Sequence, residues 1–290
     1  MKGWLIVNEF LQTPKFEQLY DMFEQQAKKM HIILEKKTNG RLAPVLEQTQ
    51  GKEYPDFILF WDKDILLARY FEALGIPVFN SSHAIEVCDN KCLTHLCLWK
   101  QKIPSPKTIP APMTYFNIGY PDLSFLDHIE KELGYPMICK EAFGSFGEQV
   151  YFIQNRLELE KKTKSLAGKT FLYQQFVKSS YGRDLRIQVV GEKVIAAMYR
   201  YSEQDFRANI TAGGKMRPYI PSAQEAELAV AACRAVGADF AGVDLLLGET
   251  GERFVCEVNS NAHFKNIEDC TGVSVATYIL QYIINTNFLK

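Results

Sequence analysis

Net charge is nearly absent from this 290-residue chain, in which 33 lysines and arginines stand against 34 aspartates and glutamates. The basic residues are dispersed rather than gathered into a stripe, so a nucleic-acid backbone finds no electrostatic footprint and nucleic acid is not expected as a partner. Long apolar runs are also lacking. No segment approaches the ~20 apolar residues of a membrane-spanning helix, and Leu5-Ile6-Val7 near the start is too short for a signal peptide, so no membrane association is expected. Cysteine is odd in number, seven in all, and falls inside apolar or helical runs rather than in a regular framework. Free thiols in a reducing, cytoplasmic compartment are the expectation. Cys88, Cys92 and His95 at i, i+4 and i+7 would share a helix face, but the spacing matches no common zinc or cluster pattern and is read as helix interior.

With 47% hydrophobic and 23% charged residues, the chain can bury a sizeable core divided into two or three lobes. Leu5-Ile6-Val7, an apolar helical pattern from Lys15 to Met30, and His31-Ile32-Ile33-Leu34 form a βαβ opening. Phe57 to Phe60, a helix from Asp64 to Leu74 ending at Gly75, and Ile76 to Asn80 extend it into a small parallel α/β lobe over residues 1–85. Asn90 to Lys102 reads as a helix, followed by the proline-rich connector Ile103 to Thr108. Residues 86–176 then form a central lobe in which two strands flank Gly144-Ser145-Phe146-Gly147, with Lys140 near the end of the first. Such a loop suits a flap over phosphate, although two glycines do not make a Walker loop and a plain hairpin tip remains open. Residues 177–290 contain antiparallel strands around Gly191, a polar stretch with Arg200, Arg207 and Asn209, and a Ser222/Glu225 capping box opening a helix that stops at Gly237. A last apolar helix runs from about Val275 to Ile284.

The stretch Gly242 to Asn261 reads as a hairpin. With Thr250-Gly251 as a two-residue tip, Asp244 falls opposite Glu257, and Asn259 shares the face of Glu257 because strand side chains alternate. Two facing carboxylates repel. An all-oxygen set of two carboxylates and an amide suits Mg²⁺ that also holds phosphate oxygens, while a solvated hairpin with scattered acids is the competing reading.

Taken in order, these motifs resemble the ATP-grasp ligases of the group that includes the ribosomal-protein glutamate ligases. Asn90-Lys91, Pro136 to Gly147, Gly182-x-Asp184-x-Arg186, Asp205-Phe206-Arg207-x-Asn209, Gly213-Gly214, Gly242-Val243-Asp244 and Glu257-Val258-Asn259 carry the likeness, which covers roughly residues 76 to 285. The resemblance implies an ATP-grasp architecture of class α/β (α+β) and an ATP-dependent carboxylate–amine ligase working through an acyl phosphate. It further implies that Lys91, Lys140, Gly144, Ser145 and Gly147 meet ATP phosphates, that Gln175, Phe176 and Val177 form the hinge at adenine, and that Asp184 holds the ribose side. Arg207, Asn209 and Arg200 would act on the transferred phosphate and substrate. Asp244, Glu257 and Asn259 would hold two Mg²⁺ ions, with Mn²⁺ as a substitute. Three positions depart from the family pattern: Asn90 in place of aspartate, Gln175 in place of glutamate, and Asn259-Ser260-Asn261-Ala262-His263-Phe264 in place of Asn-Ala-Ser-Pro-Gly. The last leaves open which acid and amine are joined and whether His263 touches substrate. A phosphotransferase acting on a hydroxyl and a nucleotide-binding protein without catalysis are the alternatives. A homo-oligomer is left open as well.

Overall fold

The computed structural model describes residues 1–46, 53–144, 147–210 and 213–287. Its first sheet is parallel and lies in the order β2-β1-β3-β4, built from β1 (Lys2–Val7), β2 (Ile33–Thr38), β3 (Phe57–Phe60) and β4 (Val78–Phe79). Helix α1 (Pro14–Lys29) starts with proline in its first turn, where no N–H is needed, and buries Leu19, Tyr20, Phe23 and Ala27. Helix α2 (Ile65–Ala73) is capped by Asp64, whose side chain accepts from the Leu67 N–H.

Helices α3 (Ser82–Asp89) and α4 (Lys91–Lys100) lead away from this sheet. The break between them is chemical. Asn90 leaves helical geometry and caps α4, accepting from the N–H groups of Cys92 and Leu93. Cys88 therefore sits on a different helix from Cys92 and His95, which removes the shared face that their spacing suggests.

The second sheet runs β5-β8-β6-β7, from β5 (Thr108–Pro110), β6 (Met137–Glu141), β7 (Val150–Ile153) and β8 (Phe171–Gln175). Helices α5 (Phe125–Leu133) and α6 (Arg156–Ser165) cover one face through Leu126, Ile129 and Leu159. The other face turns Ile138, Lys140, Val150 and Gln174 toward a cavity.

The third sheet is antiparallel, in the order β11-β10-β9-β12-β13. It comprises β9 (Arg183–Val190), β10 (Lys193–Tyr201), β11 (Lys215–Pro218), β12 (Phe240–Leu247) and β13 (Arg253–Asn259). Helix α7 (Ala223–Val236) begins with the Ser222/Glu225 capping box and ends at the left-handed Gly237.

Two stretches cross the lobes expected from sequence. Val87, Cys88 and Leu98 pack with α7, β9 and β12, so α3 and α4 belong to the core of the third sheet. After the short helix α8 (Lys265–Thr271), the last helix, α9 (Val275–Asn287), packs with α1, and Phe23, Trp61, Phe240 and Phe264 meet in one aromatic cluster, giving the first and third sheets a common core. Asn80, fully buried, staples the two: its Nδ2 donates to the Phe240 and Ser260 carbonyls at 2.9 Å, and its Oδ1 accepts from Asp239 N–H at 2.7 Å. Among the described residues no helix is long and apolar enough to cross a membrane.

Candidate active site

A cavity of about 710 Å³ lies where the three sheets converge. Its floor is one face of the third sheet, where alternation and register place the charged residues in rows. Arg186 of β9 stands beside Asp244 of β12, and Asp244 stands opposite Glu257 of β13. Asp184 and Arg200 are opposed in the next row, with Asn259 opposite Gly242 on the other side. The missing side chain at Gly242 has a use. A Cβ there would come within 2.7 Å of the Ala262 Cβ and 3.1 Å of the Arg186 Cδ, so glycine lets Arg186 lie across the strand toward Asp244.

The hairpin reaches this register by a different route from the one its sequence suggests. Gly248 N–H donates to the Glu252 carbonyl at 2.8 Å, closing a three-residue loop, Glu249-Thr250-Gly251, in which Gly251 takes φ of 101°. Continued regularly, that loop would oppose Asp244 to Cys256. The pairing shifts between Asp244 and Leu245, leaving Cys256 unopposed in a bulge and bringing Glu257 level with Asp244. Cys256 Sγ then lies 3.5 Å from Lys140 Nζ, and burial pushes its thiol pKa up, which makes it an inert neighbour rather than a nucleophile.

Asp244 is buried and held by two guanidinium groups. Arg186 grips both its oxygens, with Nη2–Oδ2 at 2.7 Å, and Arg200 Nη2 reaches Oδ2 at 3.0 Å. Burial by itself would raise the Asp244 pKa, but the two arginines outweigh it and hold the group below the usual carboxylate value. Arg200, 5% exposed, also forks onto Asp184 at 2.7 and 2.8 Å. Burial pushes Asp184 upward against the pull of Arg200, and burial's opposition to the Arg200 charge is overcome by both carboxylates. Asp184 has both oxygens engaged by Arg200. Arg200 is locked between two carboxylates, and both it and Asp184 line the cavity.

Above this floor, Lys91 Nζ donates to the Gly144 carbonyl at 3.0 Å and lies 3.4 Å from Glu257 Oε1. Arg207 is half-buried, forked onto Asp205 at 3.0 and 2.8 Å, and donates to the Gly147 carbonyl at 2.5 Å. The Asp205 pairing lowers that carboxylate's pKa and raises that of Arg207. Gly147 has φ of 76°, and a Cβ there would lie 2.4 Å from the Asn209 Nδ2, so the loop closes directly on Arg207 and Asn209. Ser145 lies outside the described residues.

Gln175, Phe176 and Val177 line the cavity where the second and third sheets join, with Phe176 edge-on to Phe152 at 4.9 Å. The cavity thus brings together Lys91, Lys140, Gly144, Gly147, Gln175, Phe176, Val177, Asp184, Arg200, Arg207, Asn209, Asp244, Glu257 and Asn259. Arg186 and Asp205 were part of the motifs, but their pairings were not expected; the alternation of Asp184 and Arg186 on one strand face is the signal that finds the first. The cavity also takes in Asn8, Lys15 and Asp62 of the first lobe, together with Asn261 and His263. His263 is half-buried at this end of the cavity. Its Nε2 lies 3.0 Å from the Lys15 carbonyl and its ring is edge-on to Phe16 at 5.7 Å.

The donor set fits magnesium in its chemistry, being two carboxylates and an amide oxygen on one sheet face. Among the described residues no three His, Cys, Asp or Glu side chains gather as a self-sufficient metal cage. A cation held there would complete its coordination with phosphate oxygens, and Asp244 would share its oxygens between the cation and Arg186.

The fold is that of the ATP-grasp ligases. D-alanine–D-alanine ligase from Bacillus anthracis, solved with ATP, superposes with a TM-score of 0.75 at 17% identity, covering 100% of this chain and 98% of that one. At that identity the likeness shows the fold alone. A family model described as the RimK-like ATP-grasp domain matches residues 88–283. The protein named probable alpha-L-glutamate ligase 2 of Shewanella amazonensis is 36% identical over 220 residues, 75% of this chain and 70% of that protein. Beta-citrylglutamate synthase B of Danio rerio is 30% identical over 258 residues, 86% of this chain and 62% of its own length. The chain belongs to the RimK-like ATP-grasp family, ligases that use ATP and Mg²⁺ to join a carboxylate to an amine.

Proposed function

We propose that this cavity phosphorylates a substrate carboxylate with the γ-phosphate of ATP and holds the acyl phosphate while an amine displaces phosphate and forms an amide. The observation that carries the reading is the row Arg186, Asp244 and Glu257, set beneath Lys91, Lys140 and a glycine loop latched by Arg207. Phosphoryl transfer asks for positioning and charge neutralisation, and lysine, arginine and carboxylate-bound cations supply both.

In this reading Lys91 and Lys140, with Gly144 and Gly147, receive the phosphates, and Gln175, Phe176 and Val177 receive the adenine. Arg207 and Asn209 face the phosphate in transfer. Asp244, Glu257 and Asn259 hold two Mg²⁺ ions, which Mn²⁺ can replace; bound there, the metal neutralises phosphate charge. Arg186 and Arg200 fix the Asp244 carboxylate so that Glu257 and Asn259 meet it in a set geometry. Seven free cysteines fit a reducing compartment, and we place the enzyme in the cytoplasm.

The test is phosphate release from ATP and Mg²⁺ across amino acids and short peptides. Release that depends on an amine, with an amide product by mass spectrometry, is the expected result. Release or transfer indifferent to every amine contradicts the reading.

A further inference from the structure

The first sheet has a reversal of strand order. From β1 the chain moves to β2 on one side and later to β3 on the other, so the winding direction changes between β1 and β3. In open parallel sheets, ligands bind in the crevice beyond the carboxyl ends of the strands at such a reversal. Asn8 follows directly on β1 and Asp62 lies two residues beyond β3. Their side chains meet there, with Asn8 Nδ2 at 3.3 Å from each Asp62 oxygen, and both line the cavity.

Asp62 is 9% exposed, and neutral groups supply its hydrogen bonds: the Asn8 amide and the Lys63 N–H at 2.7 Å. The Lys63 ammonium is paired with Asp89. Among the described residues Asp62 has no ion pair. Burial accordingly raises its pKa, the mark of a carboxylate whose charge is poorly compensated. Beside it, Asn261 Nδ2 donates to the Asp62 carbonyl at 2.8 Å, while Asn261 Oδ1 is buried without a donor. A buried carboxylate with no ion pair among the described residues and a carbonyl without a donor are the complement of a primary ammonium group, which brings one positive charge and three N–H donors.

Resting on the ligase reading, we propose that Asp62, assisted by Asn8 and Asn261, binds the ammonium group of an amino-acid or peptide substrate at the first-lobe end of the cleft. Phe10, Phe16 and Trp61 form the apolar wall of that end.

Phosphate release from Mg–ATP, measured with the twenty amino acids and glycine-led dipeptides for wild type, Asp62→Asn and Asp62→Glu, tests the proposal. The KM for the active amino acid or dipeptide is expected to rise at least about tenfold in Asp62→Asn and to recover in part in Asp62→Glu, with the KM for ATP unchanged. A wild-type KM in Asp62→Asn overturns the inference and leaves the ligase reading standing. Wild-type release indifferent to every amino acid and dipeptide overturns the ligase reading, and the inference with it. On the wild-type enzyme, the desamino analogue of the active compound should compete at least about tenfold more weakly than the compound binds. Equal competition overturns the inference whether or not the variants fold.

Discussion

Asp244 faces Glu257 across the β12–β13 pair because Cys256, between Val255 and Glu257, is left without a partner. The bulge moves one carboxylate level with another at the floor of the cavity. It also spends no charge of its own, since the residue displaced is a neutral thiol. Arg186 and Lys91 then flank the two acids, at 2.7 Å from Asp244 and 3.4 Å from Glu257.

The arginines beneath that pair give a stability prediction. Arg200→Met removes the cation shared by two buried carboxylates, leaving Asp184 with no guanidinium on its oxygens. Breaking a buried pair from one side costs about 3–5 kcal/mol, and the unfolding free energy in urea should fall by that amount. Adding Asp184→Leu should return much of the loss. A cost under about 1 kcal/mol for the single variant would show that the network is not coupled as described.

Lys91 ties the glycine loop to Glu257, and Lys140 projects from β6 into the same space. Lys91→Ala and Lys140→Ala should each weaken binding of a non-hydrolysable ATP analogue at least about tenfold by calorimetry with Mg²⁺, with thermal melts of the free proteins nearly unchanged. Wild-type affinity in both variants would remove the phosphate role.

Arg207 is held by Asp205 and reaches the loop at the Gly147 carbonyl. Lysine keeps the charge and loses the fork, so Arg207→Lys should lower kcat by about 100-fold while moving the KM for ATP little. A large rise in KM with normal kcat would assign Arg207 to ground-state binding instead.

His95 sets a pH signature. It is buried, with Nε2 at 2.9 Å from Gln174 Nε2, and burial, then Lys140 and Lys91, lowers its pKa from 6.5 to about 3. Its folded pKa lies below its unfolded value, so the unfolded chain binds more protons between those two pH values and stability falls as pH drops below about 6.5. From pH 7 to pH 5 the loss from this group is about 2 kcal/mol. His95→Gln should flatten that part of the urea-derived profile, and an unchanged slope would show that His95 titrates normally.

Much of this arrangement is legible in the sequence, and what is not has definite causes. Apolar periodicity and caps reveal α1, α2 and α7, because Asp64, Ser222 and Gly237 act locally. The opposition of Asp244 and Glu257 is also readable, yet two errors cancel in it. A three-residue loop replaces the two-residue tip, and the Cys256 bulge restores the offset; a bulge leaves no trace in alternation when the residue displaced is small and apolar. The pairing of Asp184 with Arg200 and of Asp244 with Arg186 depends on the order in which β9, β10 and β12 neighbour one another, which residue spacing along the chain does not encode. Asp62 and Asn8 stand 54 residues apart and meet only through a strand reversal.

The central claim, that Glu257 and Asp244 together hold the metal that serves the phosphates, is tested most directly by Glu257→Gln, which removes charge and keeps shape. Phosphate release and thermal melts are run on both proteins, with and without Mg²⁺ and ADP. The account predicts that turnover falls at least about 100-fold and that the stabilisation given by Mg–ADP shrinks, while the ligand-free melting temperature stays within about 2 °C of wild type. Glu257→Gln with wild-type turnover and an undiminished Mg–ADP shift would contradict it.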